Sequence, residues 1–249
     1  MDNLQEEARM NFEALLKNRY PGRSIVMGGD PSGEYVIQVY WIMARKEEHR
    51  NRVLVDRGDR IMTDVADTTK PRRDSSITIY NAMRERKGFY VVSNGEHTDT
   101  VLEQCMDDGF EFSHAMRHLE YEPDKPTHTS RIMAMYCHDP ITALQPYFQI
   151  GIVRKSAHGA GCERNVYQYD SFPRGFGVCI TTYKHDGDPP PTFCNDPYLL
   201  RIAYTDPYTI ALQFWSALDE ENRVALAVKS INVKSGESTF KIINKYKKV

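Results

Sequence analysis

Three stretches combine apolar runs with groups that bind anions or move protons. In ITIYNAMR, Tyr80 and Asn81 stand where a strand is expected to end. VVSNGEHTDT does the same from Ser93 and Asn94 to Thr100, and EYEPDKPTHTSRIMAMY sets Glu122 and Arg131 about a proline-rich turn before a strand. Arg52, directly before the apolar Val53-Leu54-Val55, is expected at a strand mouth. Strand ends that carry hydroxyls, amides, a carboxylate and arginines suit a polar, anionic small molecule, because arginine grips carboxylate or phosphate through two parallel hydrogen bonds.

Other patterns have simpler readings. The glycines of GGDPSG (28–33) miss the G-x-G-x-x-G spacing and precede a strand, so they make a hairpin turn rather than a dinucleotide site. His114 and His118 stand four apart on an expected helix, but no glutamate completes HExxH and no third ligand is evident. No metal is expected. Cys162 follows a glycine in HGAGC, as at a self-cleaving junction that frees a nucleophilic cysteine; a surface loop is the simpler reading. The run RKEEHRNR (45–52) is a solvated face apart from Arg52.

These groups need a scaffold, and the hydrophobic periodicity describes one. Residues 3–18 place Leu4, Ala8, Phe12, Leu15 and Leu16 at helical spacing until Tyr20-Pro21-Gly22 stops the helix. RSIVMGG and EYVIQVYWIMAR flank a Pro-Gly turn and predict a hairpin. Further strands are expected at 52–56, 76–80, 89–93, 131–137, 147–153, 165–170, 177–183, 223–233 and 238–246, and helices at 99–119 and 207–218. Strands dominate, so the fold class is α+β with stacked sheets and a few covering helices. HDGDPPPTFCNDP (185–197) reads as a long ordered loop, and there is no internal repeat or low-complexity tract.

The bulk properties exclude several classes. In 249 residues, 32 basic side chains face 34 acidic ones, so no general attraction to nucleic acid or an anionic membrane is expected. Any phosphate site must be local. The five cysteines form an odd set without a CxxC pair, in keeping with reduced thiols. The acidic start MDNLQEEARMNFEALLKN has no apolar leader, and no run approaches the roughly 18 residues of a membrane span, so a cytoplasmic protein is expected.

GRSIVMGG, NRV (51–53), IYNAMR (79–84), VVSNGEHTDT and YEPD with the following T-x-R-I resemble, in order, the stand-alone IMP cyclohydrolases of the archaeal type. The likeness covers about half the chain, residues 22–137, and VVSNG-x-HTDT is its most specific element. The later half offers only ITTY (180–183) as an echo. The resemblance implies a four-layered αββα sandwich like that of the N-terminal-nucleophile hydrolases, used without their nucleophile, since Met1-Asp2 supplies none. It implies one domain over 1–249, with residues 1–20 as a helical extension. It also implies cyclisation of the 5-formamidoimidazole-4-carboxamide ribonucleotide to IMP with loss of water and no cofactor. Carried over by position, the catalytic residues are Tyr80, Glu122 and Arg52, and the substrate-binding residues are Arg23, Asn81, Ser93, Asn94 and Arg131. Adjacent guanidinium charge is expected to favour ionisation of the Tyr80 phenol. Two rival readings stand beside this one: a purine-nucleotide-binding protein without turnover, and a self-processing amide hydrolase using Cys162. The sequence leaves homo-oligomerisation open.

Overall fold

The computed structural model describes residues 2–70, 78–109, 111–138 and 147–248. The chain opens with α1 (Asp2–Lys17), then forms the hairpin of β1 (Ser24–Gly29) and β2 (Tyr35–Met43). Asp30 builds its turn. Its carboxylate accepts from the Tyr35 amide at 2.9 Å, the Ser32 amide at 3.0 Å and the Thr205 hydroxyl at 2.7 Å.

A short helix, α2 (Glu47–Arg50), leads into β3 (Arg52–Asp56), β4 (Arg60–Val65), β5 (Asn81–Arg86) and β6 (Phe89–Ser93). Helices α3 (His97–Met106) and α4 (Phe112–Ala115) then precede β7 (Arg131–Cys137), β8 (Tyr147–Lys155) and β9 (Cys162–Tyr169). Strands β10 (Phe176–Thr181) and β11 (Tyr198–Arg201), helix α5 (Pro207–Ala217), and strands β12 (Arg223–Asn232) and β13 (Ser238–Asn244) complete the chain. The strands form two antiparallel sheets, ordered β11-β10-β1-β2-β12-β13 and β3-β4-β5-β6-β7-β8-β9.

Side-chain alternation divides most of the buried apolar residues among three large clusters. On β2, Tyr40 and Ile42 enter the central cluster, which also takes Leu54, Ala82, Val92, Ile132 and Ile150 from the seven-stranded sheet. The intervening Val39, Trp41 and Met43 enter an outer cluster with Leu15 of α1 and Ile210 and Phe214 of α5. Met133 and Met135 of β7 likewise face outward, against Val101 and Leu102 of α3 and Phe112 of α4. Burying a side chain of this size contributes roughly 1.5–3 kcal/mol, so the alternation fixes which face of each strand turns inward.

The two sheets are also joined at an edge. The Asn244 side chain, at the end of β13, accepts from the Leu54 amide at 2.8 Å and donates to the Leu54 carbonyl at 2.9 Å.

Several elements depart from the sequence expectation. The expected strand 76–80 is not formed where the chain is described: Thr78 is helical, and strand pairing begins only at Asn81. The expected helix 99–119 starts two residues earlier and breaks after Met106, where Gly109 takes φ +68° before α4 begins. His114 therefore lies on α4 while His118 lies beyond its end, so the two do not share a helix face. Among the described residues no group of three His, Cys, Asp or Glu is placed to hold a metal. Strands β4, β5 and β11 were not expected, because RIMTDV and NAMRER are polar segments with only two adjacent apolar residues at their centre and no period-2 alternation, and YLLR is short. Among the described residues no helix is long and apolar enough to cross a membrane.

Candidate active site

Five polar side chains from both sheets converge at one end of the sandwich. Arg23 stands one residue before β1, and Tyr40 points inward from β2. Arg52 opens β3, Tyr80 stands one residue before β5, and Glu122 lies in the connection that enters β7. Each is held by local backbone bonds. Gly22 turns the chain into Arg23 with φ +79°, and a Cβ there would lie 2.2 Å from the Thr182 hydroxyl oxygen, so only glycine fits. The Tyr80 amide donates to the Thr63 hydroxyl at 2.9 Å, and the Thr63 amide returns a bond to the Tyr80 carbonyl at 2.9 Å. The Glu122 amide donates to the Thr129 carbonyl at 2.8 Å, and Asp124 holds the Thr129 amide at 2.7 Å. These bonds close the proline-rich turn.

The Tyr80 and Tyr40 hydroxyls meet at 2.7 Å, and both residues are buried. Arg23 pairs with Glu122 through Nη2 and Oε1. The Asn94 side-chain amide reaches the same Glu122 oxygen at 3.5 Å and the Ser130 carbonyl at 2.9 Å, while its oxygen accepts from the Ile132 amide at 2.8 Å. Tyr183 closes another wall, its hydroxyl 2.6 Å from that of Thr129. Arg52 is buried, and its Nε donates to the His49 carbonyl at 3.1 Å.

Arg52 forms no salt bridge among the described residues. Arg23, itself largely covered, takes the one buried carboxylate of the site and the buried Arg52 contacts none, which leaves a positive charge without a paired carboxylate in a site of low polarisability. The titration behaviour reflects this imbalance. Burial, with the Arg23 charge added, pushes the Arg52 guanidinium below its ordinary value despite the nearby tyrosines and Glu122. For Arg23 burial acts in the same direction, but the Glu122 charge prevails and holds it well above that value. Burial, reinforced by Tyr80, keeps the Tyr40 phenol well above its usual range, and burial pushes Tyr183 up to about 12. The lowered Arg52 guanidinium thus shares the site with two phenols, Tyr40 and Tyr183, that are held in their protonated form.

Arg23, Arg52, Glu122 and Tyr183 line a pocket of about 170 Å³, with Arg45 and Lys125 among its other wall residues. Arg45 stacks 4.7 Å from the Tyr20 ring centre and donates to the Asp186 carboxylate at 2.8 Å, which ties the 185–197 segment to the pocket. A larger cavity, about 660 Å³, lies between α1 and the 184–198 segment. Its Lys17, Arg19, Lys184 and Asp196 are exposed, so it lacks the buried charge that distinguishes the smaller pocket.

The other expected site residues are engaged elsewhere. Asn81 donates to both Asp99 carboxylate oxygens at 2.9 Å. Arg131 grips Glu96 through two bonds of 3.0 and 2.6 Å and donates to the Glu120 carbonyl at 3.0 Å. Ser93 is buried against the Gly95 carbonyl and the Thr98 hydroxyl. No residue of 93–100 lines the pocket; the junction instead holds Glu122 in place through Asn94. Thr98 and Asp99 make no capping bond: Thr98 donates to a carbonyl, and Asp99 takes Asn81 and Arg84. Cys162 opens β9 and packs against the outer cluster of the seven-stranded sheet.

Sequence reasoning missed Tyr40, Tyr183 and Arg45. The alternation of EYVIQVYWIM gave a signal for Tyr40, since it puts that residue on the face opposite Trp41, and a buried phenol needs a hydrogen-bond partner.

No curated protein matches the chain. A family model described as IMP cyclohydrolase-like protein matches residues 20–236, which takes in every residue of the pocket wall. With that match over most of its length, the chain belongs to the IMP cyclohydrolase-like family.

Proposed function

We propose that the protein is an IMP cyclohydrolase that closes the formylated imidazole-carboxamide ribonucleotide to IMP with loss of water. The observation that carries this reading is the cluster of Tyr80, Glu122, Arg23 and the unpaired Arg52, in a chain of this family. The family match begins after α1, which supports reading α1 as an extension of one domain. The order of the apolar clusters supports a four-layered αββα domain like that of the N-terminal-nucleophile hydrolases. The free state of all five cysteines supports a reducing, cytoplasmic setting.

The reaction asks for positioning and balanced proton transfers, with no change of oxidation state. The carboxamide nitrogen attacks the formyl carbon and gives a proton to Glu122. Tyr80 donates its proton to the formyl oxygen, which becomes the hydroxyl of a carbinolamine. That hydroxyl leaves as water with the proton held by Glu122, while the phenolate of Tyr80 takes the proton from the former formamide nitrogen. Both groups end as they began. Arg52 supplies the positive charge that the oxygen needs while it carries negative charge, and Arg23 orients Glu122. Asn94 supports Glu122.

The test is ultraviolet monitoring of IMP formation from the formylated precursor by the parent and by Tyr80→Phe. The parent is expected to form IMP, and the variant to stay folded, with a melting temperature lowered by the loss of the Tyr40 hydroxyl's partner, while turnover falls about 10²- to 10⁴-fold, the usual contribution of a positioned acid or base. A parent that binds IMP but forms none would identify a nucleotide-binding protein. Full turnover in Tyr80→Phe would remove that residue from the mechanism.

A further inference from the structure

Each phenol carries one proton, so a contact between two hydroxyls has a direction. Tyr40 sits mid-strand on β2, paired with Ile25 of β1 and Ala227 of β12, and is 0% exposed. Its backbone is fixed by strands on both sides, and its ring lies in the central cluster. Among the described residues, its hydroxyl has no hydrogen-bond partner except that of Tyr80, 2.7 Å away. Burial and the neighbouring phenol keep Tyr40 protonated. Its proton therefore has one acceptor within reach, the Tyr80 oxygen, whereas Tyr80, whose hydroxyl likewise has no other partner among the described residues, is 5% exposed and is the one of the two that a bound molecule can reach. With that lone pair occupied, the proton of Tyr80 is left to point away from Tyr40.

We propose that Tyr40 is a positioning residue: by donating to the Tyr80 oxygen it directs the Tyr80 proton at the substrate and stabilises the phenolate left after transfer. This rests on the cyclisation proposed above. A hydrogen bond to a charged oxygen is worth more than one to a neutral oxygen, so the contact strengthens as the proton departs. The effect falls on the transition state rather than on binding.

The experiment compares the parent with Tyr40→Phe and with 3-fluorotyrosine at position 40, which retains the hydroxyl and makes it a stronger donor. In Tyr40→Phe, kcat for IMP formation is expected to fall about 10- to 100-fold, with KM nearly unchanged. The alkaline limb of the kcat profile should move to higher pH in Tyr40→Phe and to lower pH in the fluorinated protein. A residue that only packs the core would lower the melting temperature and leave the limb in place.

A second readout needs no turnover: the tyrosinate absorbance of the free protein, taken as the difference from Tyr80→Phe, should shift in the same directions. If the parent forms no IMP, the cyclisation reading fails while the absorbance titration still decides the pairing. Should Tyr40→Phe not fold, the fluorinated protein alone carries the test. An unmoved limb and an unmoved absorbance titration in the fluorinated protein would overturn the proposal.

Discussion

The sequence places Arg52, as a catalytic residue, and Arg131, as a substrate-binding one, in the same site, yet the fold treats them differently. Arg52 is buried without a carboxylate, whereas Arg131 is saturated by Glu96 and the Glu120 carbonyl. Arg52→Ala is therefore expected to weaken IMP binding by about 10-fold or more, since it removes a charge-assisted donor, with little loss of stability. Arg131→Ala should leave IMP affinity within about twofold and lower the melting temperature, because it frees Glu96 and an acceptor at the turn before β7. Calorimetric titration with IMP and a thermal melt of both variants decide this; equal losses of affinity would place Arg131 in the pocket after all. Residue types alone do not separate the two arginines. The difference arises from Glu96, whose position beside Arg131 depends on how α3 leaves β6.

Asp30 shows how much one side chain can fix an element. Burial would raise its carboxyl, but bonds from Ser32, Thr205 and the Tyr35 amide prevail and hold it below the ordinary carboxylate range. A carboxyl with a depressed folded value stabilises the protein above its unfolded value, near 4, and loses that contribution as pH falls through the folded value. Asp30→Ala is expected to destabilise by about 1–3 kcal/mol at neutral pH, since it leaves several donors without an acceptor. Denaturant melts should show the gap between parent and variant narrowing toward pH 3; a constant gap would mean that the charge is irrelevant. The hairpin itself was legible in the sequence, because Asp-Pro-Ser-Gly between two β-rich runs has few other uses. Strands 89–93 and 131–137 were equally plain as contiguous apolar runs. Helix 99–119 was not, because apolar spacing continues past Met106 while the local break depends on Asp107 to Gly109 and a positive φ.

At the scale of the molecule, the sequence declared an α+β protein of stacked sheets but not which strands neighbour which. The pocket depends on that order. Arg23 meets Glu122 across 99 residues, and Tyr40 meets Tyr80 across 40, through pairings that no local pattern encodes. Tyr40 and Tyr183 went unassigned for that reason. The same global arrangement gives the Asn244 clip a role in solubility. Strand β3 ends its sheet, and an edge strand offers unpaired backbone groups to any other chain. Asn244 occupies both such groups of Leu54, so it blocks recruitment of a foreign strand as well as joining the sheets. Asn244→Ala should thus remain folded at low concentration yet self-associate on mild heating, with light scattering that rises with protein concentration. A variant that melts earlier without scattering would make the clip purely an internal brace; a variant that scatters would make this one amide a guard against aggregation.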